Sequence, residues 1–332
     1  MILASGRGKR FAPLTDHLPK PLLPAANWPL LDYLLTTVSL VGFSPIYVTV
    51  GYAGDHLQQF LEQVARQHRV VPIVAPNWAQ GPLASFQAVL PHLNPDTPCV
   101  LLPGDLYLTP QILHLITPTA TEPVLLYDSS TKRPGTLLRV DANHSISELI
   151  QSPVHLPAFH SALPILRASV RFFIDALALH PSSPTTVFDL LQRWLAEGYP
   201  IRGVPVQAEG WYDVDTPASL VALNHHLLTT AWPPTPRPPG TYLPPSTSMT
   251  GPVQSASLTL GRDSVVEGPV LLGPGVYIDE GCEVKDSTSL GASTRVNANA
   301  SLTRCITLAH THVPTNVELQ AAILDARGNV VY

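Results

Sequence analysis

Hydrophobic positions divide the chain into two regimes. Over roughly the first 230 residues, short apolar runs alternate with longer segments whose apolar residues recur every three or four positions. MILA, PIYVTVGY, VVPIVA and CVLLPGD read as strands, and PLLDYLLTTVSLVGF, DHLQQFLEQVARQH and PLASFQAVLPHL as helices. This βαβα alternation predicts an α/β domain: a Rossmann-like, mostly parallel sheet with helices on both faces, whose ligands gather at the C-terminal ends of the strands. Chemistry is therefore expected in the loops after MILA, VVPIVA and CVLLP. Residues 124–164 are richer in strand patterns (VLLYD, GTLLRVD, SISELI) and read as an insertion covering the sheet edge and part of the pocket. Helical periodicity returns at 166–179 and 187–197, followed by the strand IRGVPV and the segment GWYDVDTPASLVALNHHLL.

Past a proline-rich stretch at 232–252, WPPTPRPPGTYLPPSTSMTGP, the period changes to six. Leu260, Val266, Leu272, Ile278, Val284, Leu290, Val296, Leu302 and Leu308 follow one another at that spacing without a break. Small or β-branched residues, Ser264, Val270 and Val276 through Ile306, mostly stand two positions before each from Val266 onward. Neither a helix nor a flat strand has this period. A triangular coil with one corner per hexapeptide does, so a short left-handed parallel β-helix of about three turns is predicted. The division is then 1–231 for the α/β domain, 232–252 for a stiff linker and 253–332 for the coil. So short a solenoid exposes two open ends that the linker is not expected to cover. It should pack on the first domain or on another subunit, and a homo-oligomer, most simply a dimer, is expected.

Charge narrows the chemistry. A net charge of −5 with only 13% charged residues leaves no basic stripe for a phosphate backbone, so nucleic acid is not an expected partner. Cys99, Cys282 and Cys305 form no CxxC pair and read as buried thiols of a reducing compartment. The N-terminal apolar run is too short for a secretory signal or a membrane span, which places the chain in the cytoplasm with no membrane partner.

The loop after the first strand carries the densest signal: Gly6-Arg7-Gly8-Lys9-Arg10-Phe11-Ala12-Pro13-Leu14-Thr15, then Pro19-Lys20-Pro21-Leu22-Leu23-Pro24. Glycines let a backbone approach a polyphosphate, and Lys9, Arg10 and Lys20 place positive charge against it. The combination resembles the signature of the sugar-phosphate nucleotidyltransferases, GxGTRxxPLTxxxPKPLLP, and by order of elements the resemblance extends over most of residues 1–230. It implies that Arg10 contacts the triphosphate and that Lys20 bridges phosphate oxygens where negative charge builds. It makes Asp105, in LLPGDLYL, a magnesium ligand, and matches Asp213 in Trp211-Tyr212-Asp213-Val214-Asp215-Thr216-Pro217 to a second. Asp215 stands where the family usually has glycine, and shares or takes over that role. Thr216 and Pro217 also read as an N-cap and first helical residue. Base recognition is implied for the backbone around Leu3, Ala4 and Gly6, and for the turn containing Asn77 and Gly81; Gly8 lies in the phosphate loop.

The favoured reaction joins a nucleoside triphosphate to a hexose 1-phosphate, such as mannose or glucose 1-phosphate, with magnesium, releasing pyrophosphate. One departure stands out. At Ile150-Gln151-Ser152-Pro153 the family commonly has Glu-Lys-Pro, and both charges are missing here. Either the acceptor is unusual, or His160 or Arg202 takes its phosphate, or the chain is a regulatory relative that binds an NDP-sugar without turning it over. A cytidylyltransferase for a phosphorylated alcohol such as phosphocholine is a further alternative. His225 and His226 read as solvated. His310 and His312 raise an acyltransferase reading of the coil, against which a structural or oligomerising coil is preferred.

Overall fold

The computed structural model describes residues 1–116, 122–130, 133–179, 186–207, 210–230, 239–255 and 257–332. Residues 232–238 of the expected linker lie outside these. The chain forms two compact units, one of Met1–Arg7 with Thr37–Trp211 and the other of Gly8–Thr36 with Tyr212–Tyr332.

In the first unit the strand Ile2–Leu3 lies between Ile46–Val50 and Pro98–Pro103, parallel to both, with Val70–Val74 beyond Ile46–Val50. IYVTV is β-branched and aromatic throughout and largely buried, as a central parallel strand requires. The helix Gly54–His68 buries Leu57 and Leu61 and carries Asp55 in its first turn and Arg66 and His68 in its last, matching its dipole. Residues 124–164 do not cover the sheet edge; they extend the sheet. His160–Ser169 pairs antiparallel with Pro98–Pro103, and Val124–Asp128, Gly135–Val140, Ile146–Ser152 and Arg202–Val206 complete a nine-stranded sheet. The helix expected from residue 166 begins only with Val170–Leu179. Leu166, Arg167, Ala168 and Ser169 pair with Leu101, Val100, Cys99 and Pro98, and Ser169 Oγ then accepts the Phe172 amide as the chain turns into the helix.

In the second unit, residues from Leu258 onward wind into a three-faced parallel β-helix. The hexad residues from Leu260 to Leu302 are all buried inside it, but Leu308 is not. Val284 stacks on Leu302, eighteen residues on, whereas Leu290 stacks on Thr307, only seventeen on. The turn after Ser301–Thr303 is one residue shorter, which moves Thr307 into the interior, where its hydroxyl meets Thr294 Oγ1 at 2.9 Å. The end of the proline-rich stretch is also more than a connector. Thr241–Leu243, Ser248–Thr250 and Val253–Gln254 add one antiparallel strand to each face at the start of the coil, so the chain itself covers that end.

The flank of the coil is docked by the helix Pro217–Thr229 and the Pro24–Ala25/Trp28–Pro29 hairpin. Buried Asn224 organises this contact: its Oδ1 accepts from the Ala26 amide and from Ser289 Oγ, and its Nδ2 donates to the Ser287 carbonyl. Asn27 Nδ2 donates to the Leu290 carbonyl beside it. His225 is half-buried rather than solvated and meets Ser287 Oγ at 2.7 Å, while His226, also half-buried, lies against the Tyr212 ring. Asn224→Ala strands three polar partners and is expected to cost about 2–5 kcal/mol of stability. Thermal and urea unfolding measure this, and a loss below about 0.5 kcal/mol would contradict the role given to Asn224.

Candidate active site

In the first unit the C-terminal end of the parallel strands is drawn together by small residues. The Ala4 amide donates to Thr49 Oγ1, Ser5 Oγ donates to Ser85 Oγ at 2.6 Å, and the Tyr52 amide donates to the Ser5 carbonyl. A Cβ on Gly51 would lie 2.7 Å from Ser5 and from Trp78, and one on Gly104 would lie 2.9 Å from the Ala4 Cβ. Three loops thereby pack against one another. The sequence reading missed Ser5, Thr49, Gly51 and Ser85 in this arrangement. The only available signal was a glycine directly after each of two apolar strands, at Gly51 and Gly104.

Among the residues expected to read the base, Leu3 is half-buried and Ala4 buried, with its amide committed to Thr49. Gly6 and Asn77 are exposed. Gly81 has a φ of 120° and directly precedes the helix Pro82–Gln87, a conformation that glycine enters without strain. Asp105 follows the Pro98–Pro103 strand and is half-buried. The Thr109 amide donates to the Gly210 carbonyl, tying the strand Leu106–Leu108 to the segment that enters Trp211.

The second unit holds the loop of Gly8, Lys9, Arg10 and Lys20, expected from the sequence to meet phosphate. Gly8 has a φ of 65°, and a Cβ there would sit 2.7 Å from that of Lys20, so a side chain at position 8 would collide with the lysine stem. Lys9 and Arg10 are exposed, but Lys20 is only 7% exposed, with its ammonium 5.5 Å from the Phe11 ring centre. Lys20 Nζ and Arg10 Nη2 each lie 2.9 Å from the same oxygen, Asp215 Oδ1. Asp213 ends the strand Trp211–Asp213, and Thr216 caps the helix Pro217–Thr229 in a reciprocal box with Ser219, with Pro217 as its first residue.

Burial works to raise the Asp215 carboxyl, but Lys20 and then Arg10 outweigh it and hold the group below its ordinary value of 3.8. A carboxyl depressed on folding stabilises the protein above that ordinary value, and the contribution is lost as pH falls through the lower folded value. The melting-temperature difference between wild type and Asp215→Asn is therefore expected to stay level from about pH 5 to 8 and to shrink below about pH 4. A difference that grows on acidification would contradict the pairing.

The structure separates the two proposed substitutes for the missing Glu-Lys pair. Arg202 pairs with Val124, the first residue of Val124–Asp128, at the end of the sheet away from the ligand loops. His160 starts the strand whose Leu166 pairs with Leu101, and so lies past the C-terminal end of Pro98–Pro103. There it lines a cavity of about 570 Å³ with Ser129, Ser130 and His155. Of the two, His160 stands at the ligand end.

Comparison with known proteins bears on this arrangement. Residues 1–172 match the family profile described as a MobA-like NTP transferase domain. The low-salt glycan biosynthesis nucleotidyltransferase Agl11 of Haloferax volcanii is 24% identical over 236 residues, 69% of this chain and 65% of the relative. The bifunctional protein GlmU of Methanococcus aeolicus is 21% identical over 287 residues, 86% of this chain and 61% of the relative. The N-acetylmuramate alpha-1-phosphate uridylyltransferase of Neisseria meningitidis serogroup B is 43% identical over 61 residues, 18% of this chain and 26% of the relative. The chain thus spans less than two thirds of the length of each of these relatives. Among the described residues no helix is long and apolar enough to cross a membrane.

Proposed function

Because the chain belongs to the MobA-like NTP transferase family, we propose that it transfers a nucleotidyl group from a nucleoside triphosphate to a sugar 1-phosphate, a hexose such as mannose or glucose 1-phosphate, releasing pyrophosphate. The observation that carries this reading is the convergence of Arg10 and a buried Lys20 on one point at Asp215. A nearly buried ammonium interacts with developing negative charge far more strongly than one in water.

An acceptor phosphate oxygen attacks the α-phosphorus, forming the new O–P bond as the bond to the β-phosphate oxygen breaks opposite it. The electron pair leaves with pyrophosphate, and no proton needs to be moved. Arg10 holds the triphosphate, and Lys20 exchanges Asp215 for the oxygens on which charge accumulates. The backbone from Leu3 to Gly6 and the turn at Asn77 and Gly81 hold the base, and Gly8 and Lys9 complete the phosphate loop. Half-buried carboxylates at Asp105, Asp213 and Asp215 are the hard oxygen donors that magnesium prefers. Magnesium bound by them would neutralise phosphate charge and help to orient the triphosphate.

The readings 1–231 for catalysis and 253–332 for a structural coil belong to the same proposal, as does an assembly of two or more copies in the cytoplasm. Light scattering of the full chain should show a dimer or larger, and a monodisperse monomer at micromolar concentration would remove the assembly from it. One observation favours a second acceptor class. Gln151 Nε2 donates to Thr136 Oγ1 and Ser152 Oγ donates to the Val154 carbonyl, so neither supplies the charge that the related motif offers a sugar phosphate. The absence of that pair permits a phosphorylated alcohol, such as phosphocholine, with a cytidine nucleotide instead. A pyrophosphate-release screen decides between them, with the purified protein, magnesium, each common triphosphate, and sugar and alcohol phosphates. Release with a hexose 1-phosphate is expected. Release with phosphocholine and CTP alone would transfer the activity to the second class, and no release with any pair would reject catalysis in favour of a regulatory role.

A further inference from the structure

At the end of the first unit's sheet away from the ligand loops, one row of paired residues crosses several neighbouring strands. Val100 pairs with Arg167, Arg167 with Val124, Val124 with Arg202, and Arg202 with Ser145. Residues directly opposite one another in a ladder project from the same face, so Arg167, Arg202 and Ser145 stand in line on one side of the sheet. Strands lie about 4.8 Å apart, which puts the two arginine Cα atoms roughly 10 Å from each other across Val124. Leu101, Leu125 and Leu166, the next residues along these strands, belong to the apolar core with Phe173 and Trp194 on the other face.

This row offers donors and lacks acceptors. Arg167 is only 4% exposed, yet among the described residues its guanidinium is satisfied only through Nη2, which donates to the Glu122 carbonyl at 3.2 Å; its buried Nε and Nη1 meet no partner. Burial and, after it, the like charge of Arg202 lower the pKa of the Arg167 guanidinium below its ordinary value. Among the described residues neither arginine has a carboxylate within ion-pair distance. Asp141, the acid nearest Ser145 in the chain, has Oδ1 engaged by the amides of Asn143 and Ser145. A buried cation without a counter-charge is strongly unfavourable, and native folds answer it with an ion, a water or a ligand. The row also has an approach. Ser145 is half-buried and Arg202 exposed, so it runs from the interior at Arg167 to solvent.

We propose that this row binds a phosphate group, free or carried by a small metabolite, at a second site separate from the loops assigned to nucleotidyl transfer. The anion enters beside Arg202, accepts from that guanidinium and from Ser145 Oγ, and takes the N–H groups that Arg167, turning toward Val124, brings to it. Two guanidiniums and a hydroxyl suit the three acceptor oxygens and the nearly double negative charge of a phosphate monoester. The inference is independent of the reaction proposed above and stands or falls without it.

Calorimetric titration with inorganic phosphate at constant ionic strength tests it. The full chain carrying Arg10→Ala and Lys20→Ala is used, which removes the two cations that meet at Asp215. Saturable binding of phosphate is expected to persist in that protein and to weaken at least about tenfold when Arg202→Gln or Arg167→Met is added, the usual worth of a charge-assisted hydrogen bond. Arg167→Met replaces an unpaired buried charge with an apolar chain, so its melting temperature without phosphate should match or exceed that of its parent. Arg202→Gln, at an exposed position, decides the matter if Arg167→Met fails to fold. Tighter binding of glycerol 3-phosphate than of inorganic phosphate would assign the site to a phosphorylated metabolite, and the reverse to the free ion. No saturable binding, binding that neither variant weakens, or acetate bound as tightly as phosphate would overturn the proposal.

Discussion

Lys20→Ala is expected to lower kcat by about 10²–10³-fold while the KM for the triphosphate rises only a fewfold. The asymmetry follows from where the charge sits. Lys20 is held by the Pro19–Pro21 frame, with Gly8 leaving room for its stem and Phe11 beside its ammonium, and is 7% exposed. It is already paired with a carboxylate before substrate arrives. Exchanging Asp215 for a ground-state phosphate therefore gains little, whereas the additional charge formed as pyrophosphate departs has no counterpart in the free protein. An interaction made mainly in the transition state appears in kcat. Exposed Arg10, with a side chain 64% accessible, should show the reverse: Arg10→Ala raises KM more than it lowers kcat. Steady-state pyrophosphate release at saturating acceptor measures both. Equal losses in kcat and binding for Lys20→Ala would reduce it to a simple anchor.

The second large effect concerns the carboxylates. If Asp105 and Asp213 hold magnesium as proposed, Asp105→Ala and Asp213→Ala are each expected to reduce turnover by at least about 10³-fold, because losing a metal ligand removes charge stabilisation at the phosphates. Circular dichroism and melting temperature should remain those of the parent, since both side chains are half-buried at strand ends rather than in the core. Asp215→Ala separates two roles. As a ligand it behaves like Asp213; as a partner for Lys20 and Arg10 alone, its loss leaves magnesium dependence unchanged. Full activity of Asp105→Ala at saturating magnesium would remove that residue from the site.

Much of this was legible along the chain, for reasons that differ from element to element. The six-residue period of the coil survives because each interior position is filled independently by Leu, Val or Ile. It failed only at Leu308, where one residue lost from a turn moves the interior to Thr307, a change invisible to a fixed period. The strands over 241–254 were hidden because their pairing partners, from Thr259 opposite Gln254 to Leu272 opposite Thr241, lie 5 to 31 positions away and their own sequence is rich in proline and polar residues. Residues 166–169 carry an apolar pattern that suits a helix or a strand, and pairing with Pro98–Pro103 decided between them. In the site, Gly8, Arg10 and Lys20 stood out through the resemblance of their loop to a family signature, and Asp215 because it stands where that signature usually has glycine. The links Ser5–Ser85 and Ala4–Thr49 did not, since nothing local marks a serine or threonine that serves a partner 45 to 80 residues away.

The most direct test of nucleotidyl transfer is phosphorus NMR of a reaction containing the wild-type chain, magnesium, the triphosphate selected by the screen and a sugar 1-phosphate. The account predicts that the monoester signal of the sugar phosphate is replaced by the paired signals of a sugar diphosphate nucleoside, with one equivalent of pyrophosphate and no orthophosphate. Orthophosphate with nucleoside diphosphate, or a monoester signal that persists after prolonged incubation with every triphosphate, would contradict it.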